Sequence, residues 1–388
     1  MQSIAHVLDT PIENGGGLNI LVRELATGLS SRYHVYVFYP ENNVPTHRAG
    51  KSLPGFHHCP WPPGFTKERV LDFLKEKILS YRIAAVFFHG GEFGGGCGTS
   101  NLQPIKALAP TIRCIYVNHQ SSRLLFCRLA GIYQQNLLFF LKSALKFFVS
   151  WVHKIAWLRF VDLEINVSSF EQRQAKARYF MFQKKFTLVY HSRLPAPSPS
   201  RSFRHEKEDL ILNLGHLAYR KGQHVLLKAF GEIFAQHPTW KLLFVGDFEN
   251  AAYRVFLETL VADRKMGNRV SFLNQTSEPE TFFQKAAIYV QPSLLEAYGL
   301  ALQEAMRSGC ACVGSDCGGI PDSLFDSSCL FSPGDFLQLS RILDNLMKDP
   351  IRRKKAQDKA MQDDLLMNRG REQMLEQYHL LLNNLLKP

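Results

Sequence analysis

The sequence predicts an α/β protein built from two doubly wound domains, and three observations carry that prediction. Short apolar runs alternate with helical patterns in two separate series, as βα units around parallel sheets do. A stretch with three prolines and three serines, residues 194–205 (LPAPSPSRSFRH), lies between the two series and reads as a linker. The 388 residues, 46% hydrophobic and 21% charged, suffice for two or three globular domains.

The first series begins with Ile4–Leu8 as a strand, a helical segment from about Leu18 to Ser30, and Val35–Tyr39 as the next strand. Ala84–Phe88, Cys114–Asn118 and Leu163–Val167 are further short apolar runs, each followed by polar or glycine-rich turn residues. Ser168 or Ser169 is placed to cap the helix after the last of them. The second series predicts strands at Leu210–Leu214, Lys241–Val245, Val270–Leu273, Ile288–Gln291 and Ala311–Val313. Helices are expected at Gln223–His237, Ala252–Met266 and Leu300–Ser308. The expected organisation is a first domain over 1–193, the linker 194–205, a second domain over 206–368 and a leucine-rich terminal helix over 369–388 that crosses back to the first domain. Two such domains joined by a hinge would face each other across a cleft, with ligands beyond the carboxyl ends of the strands.

The net charge of +12 is unevenly spread. Residues 1–193 hold 23 Lys+Arg against 11 Asp+Glu, and residues 194–388 hold 23 of each. Such asymmetry suits an anionic partner: a membrane surface, an acidic substrate or a nucleic acid. No nucleic-acid-binding motif accompanies it, so a nucleic-acid role is not expected. Residues 136–160 (NLLFFLKSALKFFVSWVHKIAWLRF) carry too many cations for an ordinary transmembrane helix. On a helical wheel Gln135, Lys142, Lys146, Ser150, His153 and Lys154 form one polar face, and aromatic and aliphatic residues fill most of the rest. That pattern suits an interfacial helix on anionic lipid, and a buried helix with snorkelling lysines is the other reading. The eight cysteines include no CxxC pair, and Cys114, Cys127 and Cys329 sit in apolar runs as buried thiols do. A reducing, cytoplasmic compartment is expected, possible attachment to the membrane surface included. The first 25 residues lack the pattern of a signal peptide.

The most informative string is SLLEAYGLALQEAMRSGCACVGSDCGGIP, residues 293–321. Glu296 precedes a turn containing Tyr298 and Gly299, Glu304 stands eight residues on inside the following helix, and Gly309 is placed to end that helix in left-handed geometry. A helix N-terminus offers free N–H groups and a positive dipole end to a diphosphate, and glycine allows close approach. The two carboxylates are good acceptors for sugar hydroxyls. Two solvated glutamates on an amphipathic helix would be the bland alternative.

This string resembles the donor-binding signature of GT-B, family-4-type retaining glycosyltransferases (glycosyl transferases group 1): Glu296, Glu304, Ala305, Met306 and Gly309, followed by Gly318, Gly319, Ile320 and Pro321. The resemblance implies two Rossmann-like domains, an acceptor-binding one first and a nucleotide-sugar-binding one second. It implies that Glu296 contacts the transferred sugar, Glu304 the ribose, and the backbone near Tyr298, Gly299 and Leu300 the diphosphate. It also implies a UDP- or GDP-sugar as donor, a glycan or lipid-linked acceptor, cell-surface polysaccharide or lipopolysaccharide synthesis as setting, and no required cofactor or metal. In GHLAYRKGQHVLLKAF, residues 215–230, Lys221 would grip the diphosphate. His216 stands where the family carries Arg, with Arg220 close by; the exchange loses a fixed charge and a bidentate fork. NGGGLNILVREL, residues 14–25, is similar to the family's N-terminal glycine loop, with Gly16 and Gly17 as donor contacts; it does not fit the GxGxxG of dehydrogenases.

By the same resemblance His119 (in YVNHQ) lies near the sugar and the acceptor oxygen, where it could polarise a hydroxyl or hydrogen-bond the sugar. His89, beside the glycine-rich stretch Gly90–Gly98, is a similar candidate. VYHSRLP, residues 189–195, replaces the family's Pro-Asn-Gly turn with His191 and Ser192, and FLNQTSEPE, residues 272–280, stands at the position for nucleobase contact. Two other functions compete: a non-catalytic sugar-nucleotide- or membrane-binding protein, kept open by His216, and a nucleotide-sugar epimerase, which lacks this two-glutamate string.

Overall fold

The computed structural model describes residues 1–12, 17–41, 55–90, 105–106, 110–119, 149, 151–195, 207–367 and 369–387. The chain divides into two compact units, Met1–Arg193 with Gly370–Pro388, and Leu194–Arg369.

The first unit holds β1 (Ser3–Val7), β2 (His34–Pro40), β3 (His57–Trp61), β4 (Ile83–Gly90), β5 (Arg113–Asn118), β6 (Leu163–Asn166) and β7 (Phe186–Leu188). They form one parallel sheet in the order β3-β2-β1-β4-β5-β6-β7. Both faces are covered, which is why the central strands read as continuous apolar runs. On one face the helices Gly17–Leu29 and Arg371–Leu385 contribute Leu21, Leu25, Met374, Tyr378 and Leu382 to a core with Ile4, Phe87 and Ile115. On the other, the helix Lys67–Ser80 sets Val70, Leu74 and Ile78 against Ala5, Phe38 and Val86. Ser168 caps the helix Ser169–Arg178 by accepting from the Glu171 N–H at 3.2 Å. β3 escapes a periodicity search because it is an edge strand; the sequence HHCPW leaves most of its residues half-buried or exposed.

The second unit repeats the plan with β8 (Glu208–Leu214), β9 (Lys241–Val245), β10 (Val270–Leu273), β11 (Ala286–Gln291), β12 (Ala311–Ser315) and β13 (Leu330–Phe331). Their order, β10-β9-β8-β11-β12-β13, is again parallel throughout. The chain starts in the middle, winds outward and returns to the other side, so β8 and β11 flank a topological switch point. The helix predicted over Gln223–His237 stops at Ile233 and continues as a 3-10 turn, Phe234–Gln236.

Within 136–160, residues 136–148 and 150 lie outside the described residues, and residues 151–158 are helical. Lys154 does not stand on an outward polar face. It is 4% exposed, its Nζ lies 3.2 Å from Glu164, and the rings of Tyr116, Trp157 and Tyr179 surround it at 5.4–5.7 Å. A helical wheel cannot show this, because the partner carboxylate comes from β6. Among the described residues no helix is long and apolar enough to cross a membrane.

Candidate functional site

Two loops of the second unit meet at the β8/β11 switch point. After β8, Gly222 takes the left-handed conformation (φ 70°) that opens the helix Gln223–Ile233, and a Cβ there would overlap the Pro292 carbonyl. After β11, the N–H groups of Leu294 and Leu295 donate to the Arg220 carbonyl at 2.8 and 3.2 Å. This backbone clamp sets Lys221 opposite Glu296, with Nζ to Oε2 at 2.7 Å. The same oxygen accepts from Gln291 Nε2 at 2.8 Å and from Ser293 Oγ at 3.1 Å.

Glu296 is 9% exposed. Burial alone would raise its carboxyl, but the Lys221 ammonium, the Arg220 guanidinium and the Ser293 hydroxyl outweigh burial and hold it below the usual carboxylate value. Glu296 is therefore an ionised, oriented acceptor. Its backbone is fixed too: the Gly319 N–H donates to the Glu296 carbonyl at 3.3 Å, and Gly318 (φ 55°) lies so close that a Cβ would collide with that carbonyl. The motif glycines after β12 thus hold the loop that carries the acid.

Gly299 (φ 98°) precedes the helix Leu300–Arg307, with no side-chain cap. The first N–H bonded back to Gly299 is that of Leu302, at 3.0 Å, which leaves the Leu300 end of the helix with donors for an anion. The helix ends as expected: Ser308 caps it and Gly309 follows at φ 71°. Tyr298 is buried, its ring 5.8 Å from the Arg369 guanidinium, so its backbone and not its side chain is what the turn presents. Glu304 is 7% exposed. The phenol of Tyr289 is pushed well above its ordinary range, first by burial and then by several acidic neighbours that include both Glu296 and Glu304. Both glutamates are thus buried within the second unit.

His216 is exposed, and Gln223 Nε2 holds its carbonyl at 3.2 Å. Its pKa is lowered by partial burial and then by Arg220; the nearby Glu249 and Asp247 act in the opposite direction. Arg220 is half-buried and contributes to the charge around Glu296. In the loop after β10, the Gln275 N–H donates to Asp247 at 3.0 Å. Sequence reasoning missed Gln291 and Ser293, the buried partners of Glu296. Their only sequence signal is polarity at the end of an apolar strand.

In the first unit Gly16 lies outside the described residues, as do residues 91–98 of the glycine-rich stretch, and Gly17 opens the helix Gly17–Leu29. His119 follows β5 and its N–H donates to the Gly90 carbonyl at 2.9 Å. Its ring pairs with His89, which in turn pairs with His6, a residue the sequence analysis passed over. His191, in the altered turn, is buried with Nε2 2.9 Å from the Tyr378 hydroxyl. Among the described residues no group of three or more His, Cys, Asp or Glu is arranged to hold a metal ion.

The whole chain is similar in fold to a sucrose-phosphate synthase from Thermosynechococcus elongatus, with a TM-score of 0.78 and 19% identity over 99% of both chains. It is also similar to Anabaena HepE in complex with UDP-glucose, with a TM-score of 0.74 and 15% identity over 99% of this chain and 100% of that one. The fold is GT-B. In sequence, 145 residues are 26% identical to the lipopolysaccharide core biosynthesis mannosyltransferase LpcC of Rhizobium leguminosarum bv. viciae, covering 36% of this chain and 41% of that protein. The chain spans only 33–41% of the length of the first four curated relatives it matches. Residues 198–363 match the family model described as "Glycosyl transferases group 1", so the second unit is a domain of that family.

Proposed function

We propose that this protein is a retaining glycosyltransferase of family-4 type that moves a sugar from a UDP- or GDP-sugar to a glycan or lipid-linked acceptor. The observation that carries the reading is the partly buried Lys221–Glu296 pair, 2.7 Å apart at a switch point, beside a glycine-capped helix inside the matched residues. Lys221, Arg220 and the N–H groups at Gly299 and Leu300 would stabilise the departing diphosphate, where negative charge grows in the transition state. Ionised Glu296 would accept hydroxyls of the transferred sugar and offset positive charge developing on its ring. Glu304 would bind the ribose, and Gly16 and Gly17 would close over the phosphates. The acceptor oxygen attacks on the face from which the diphosphate leaves, and configuration is retained.

The similarity to a lipopolysaccharide mannosyltransferase and to a UDP-glucose complex supports cell-surface polysaccharide or lipopolysaccharide synthesis, and the proposed place of that synthesis is the cytoplasmic face of the membrane. Cations of residues 136–150 would meet anionic lipid there, without Lys154. Equal co-sedimentation of wild type and a Lys142→Glu/Lys146→Glu variant with phosphatidylglycerol vesicles would remove that contact.

The test of the activity is consumption of UDP- and GDP-sugars that rises with added acceptor. Normal turnover by both Glu296→Ala and Lys221→Ala would refute the assignment. The exposed His216 in place of the family's Arg favours one other reading, a donor-binding protein without transfer; it predicts donor binding with no acceptor-dependent turnover.

A further inference from the structure

Three histidines of the first unit form a hydrogen-bonded ladder across three adjacent strands. The register explains how. His6 in β1 pairs with Phe87 in β4, and His89 in β4 pairs with Val117 in β5. Side chains return to the same face every second residue. His89 is two beyond Phe87, and His119 two beyond Val117. Each step to the next strand therefore moves the histidine toward the carboxyl edge on one face. His6 Nδ1 lies 2.8 Å from His89 Nε2, and His89 Nδ1 lies 3.0 Å from His119 Nε2. The rings stack at 5.1 and 5.2 Å, and His6 also stacks on Phe87 at 4.7 Å.

All three rings are neutral at pH 7. Burial lowers His6 and His119 to about 3, and burial followed by the neighbouring histidines lowers His89 well below its ordinary value. Each contact between neutral rings holds one proton, so the ladder has two tautomeric orders. In the first, His6 and His89 both donate from Nδ1, His119 accepts at Nε2, and its own proton sits on Nδ1. In the second, His119 and His89 donate from Nε2, and His6 must carry its proton on Nε2. That last nitrogen decides between them. His6 Nε2 is buried and meets no hydrogen-bond partner among the described residues. A buried N–H left without an acceptor is rare and costly, and the first order leaves only a bare lone pair there.

We propose that the ladder locks His119 as its Nδ1–H tautomer, so that it donates a hydrogen bond to a ligand oxygen and does not serve as a general base. His89 and His6 are positioning residues that act through it. The identity of the ligand, a sugar or acceptor hydroxyl, rests on the transferase reading; the tautomer does not.

The experiment uses the full chain labelled with nitrogen-15 and long-range proton–nitrogen correlation spectra at pH 7. His119 should show a pyrrole-type Nδ1 and a pyridine-type Nε2. His89→Leu should release it to a mixture of tautomers, and His89→Asn, whose amide donates from the Nδ1 position, should restore the single form. An Nε2–H form or a mixture in wild type overturns the proposal, as does an unchanged tautomer in His89→Leu. If His89→Leu does not fold, wild type and His89→Asn still decide. In transfer assays His89→Leu should lose about tenfold in kcat/KM, one hydrogen bond's worth, with most of it regained by His89→Asn. A locked Nδ1–H form in an inactive protein refutes the transferase reading alone. An active protein with His119 as Nε2–H refutes the ladder alone.

Discussion

At the β8/β11 switch point of the second unit a lysine meets a glutamate at 2.7 Å; at the β1/β4 pair of the first, two histidines meet at 2.8 Å. The strand order on both sides is the same winding, outward from a central strand and back. One topology thus brings side chains together twice, and the residue types decide what the meeting does. In the second unit the pair is charged and its acid stays ionised in spite of burial, which suits a diphosphate and an electron-poor sugar ring. In the first the rings are held neutral and each contact holds a single proton, which suits orientation rather than charge.

The comparison can be broken most directly through the charged pair. Glu296→Ala or Lys221→Ala should reduce kcat/KM by about 10²–10³, the scale of removing one transition-state partner, while His119→Gln should cost about tenfold. Equal losses in steady-state transfer assays would erase the distinction. Next in size is Gly318→Ala. With φ at 55° and the Glu296 carbonyl in the way, it should destabilise by about 1–3 kcal/mol in urea unfolding and lower activity with it. An unchanged midpoint would show that this loop has room.

Acid should separate the two units as well. His6 and His119 have folded values near 3, below the ordinary 6.5, so the unfolded chain takes up their protons first as pH falls. Their contribution to stability is complete above about 6.5 and drains away toward 3, at about 1.4 kcal/mol per pH unit for each ring. His89 and His191 are lowered in the same direction. In the second unit His224, lowered by burial to about 4, behaves alike, but Glu296 is depressed below 4.5, so its contribution persists until pH falls below that value. Hydrogen exchange read by mass spectrometry between pH 7 and pH 5 should therefore show the first unit losing protection first. Earlier loss in the second unit would sink this account. The smallest expected effect belongs to His216→Arg, which restores a fixed charge and should lower the donor KM by about two- to tenfold at low salt. An unchanged KM would place His216 away from the diphosphate.

The second unit was more legible in the sequence than the first. Glu296, Gly299, Glu304 and Gly309 sit in one short string, and the turn, the helix start and the helix end follow from local rules. Lys221 was found by its own loop, but its pairing with Glu296 spans 75 positions and needs the β8/β11 neighbourhood. The histidine ladder was legible only as fragments. His119 and His89 stood out near turns; His6 was hidden inside IAHVL, where a lone polar residue in an apolar run was its only mark. Lys154 was misplaced because helical periodicity says which residues share a face, not which face another element covers.

By itself the sequence determined the two βα series, the glycine turn before Leu300 and the presence of two acids eight residues apart across that turn, because each depends on neighbours a few residues away. Only the tertiary structure decided which groups face one another: strand register set His6 on His89, and a backbone clamp across the switch point set Lys221 on Glu296. Register and strand order are properties of residues far apart in the chain, and the charge or proton that a buried group carries follows from the partners they bring to it.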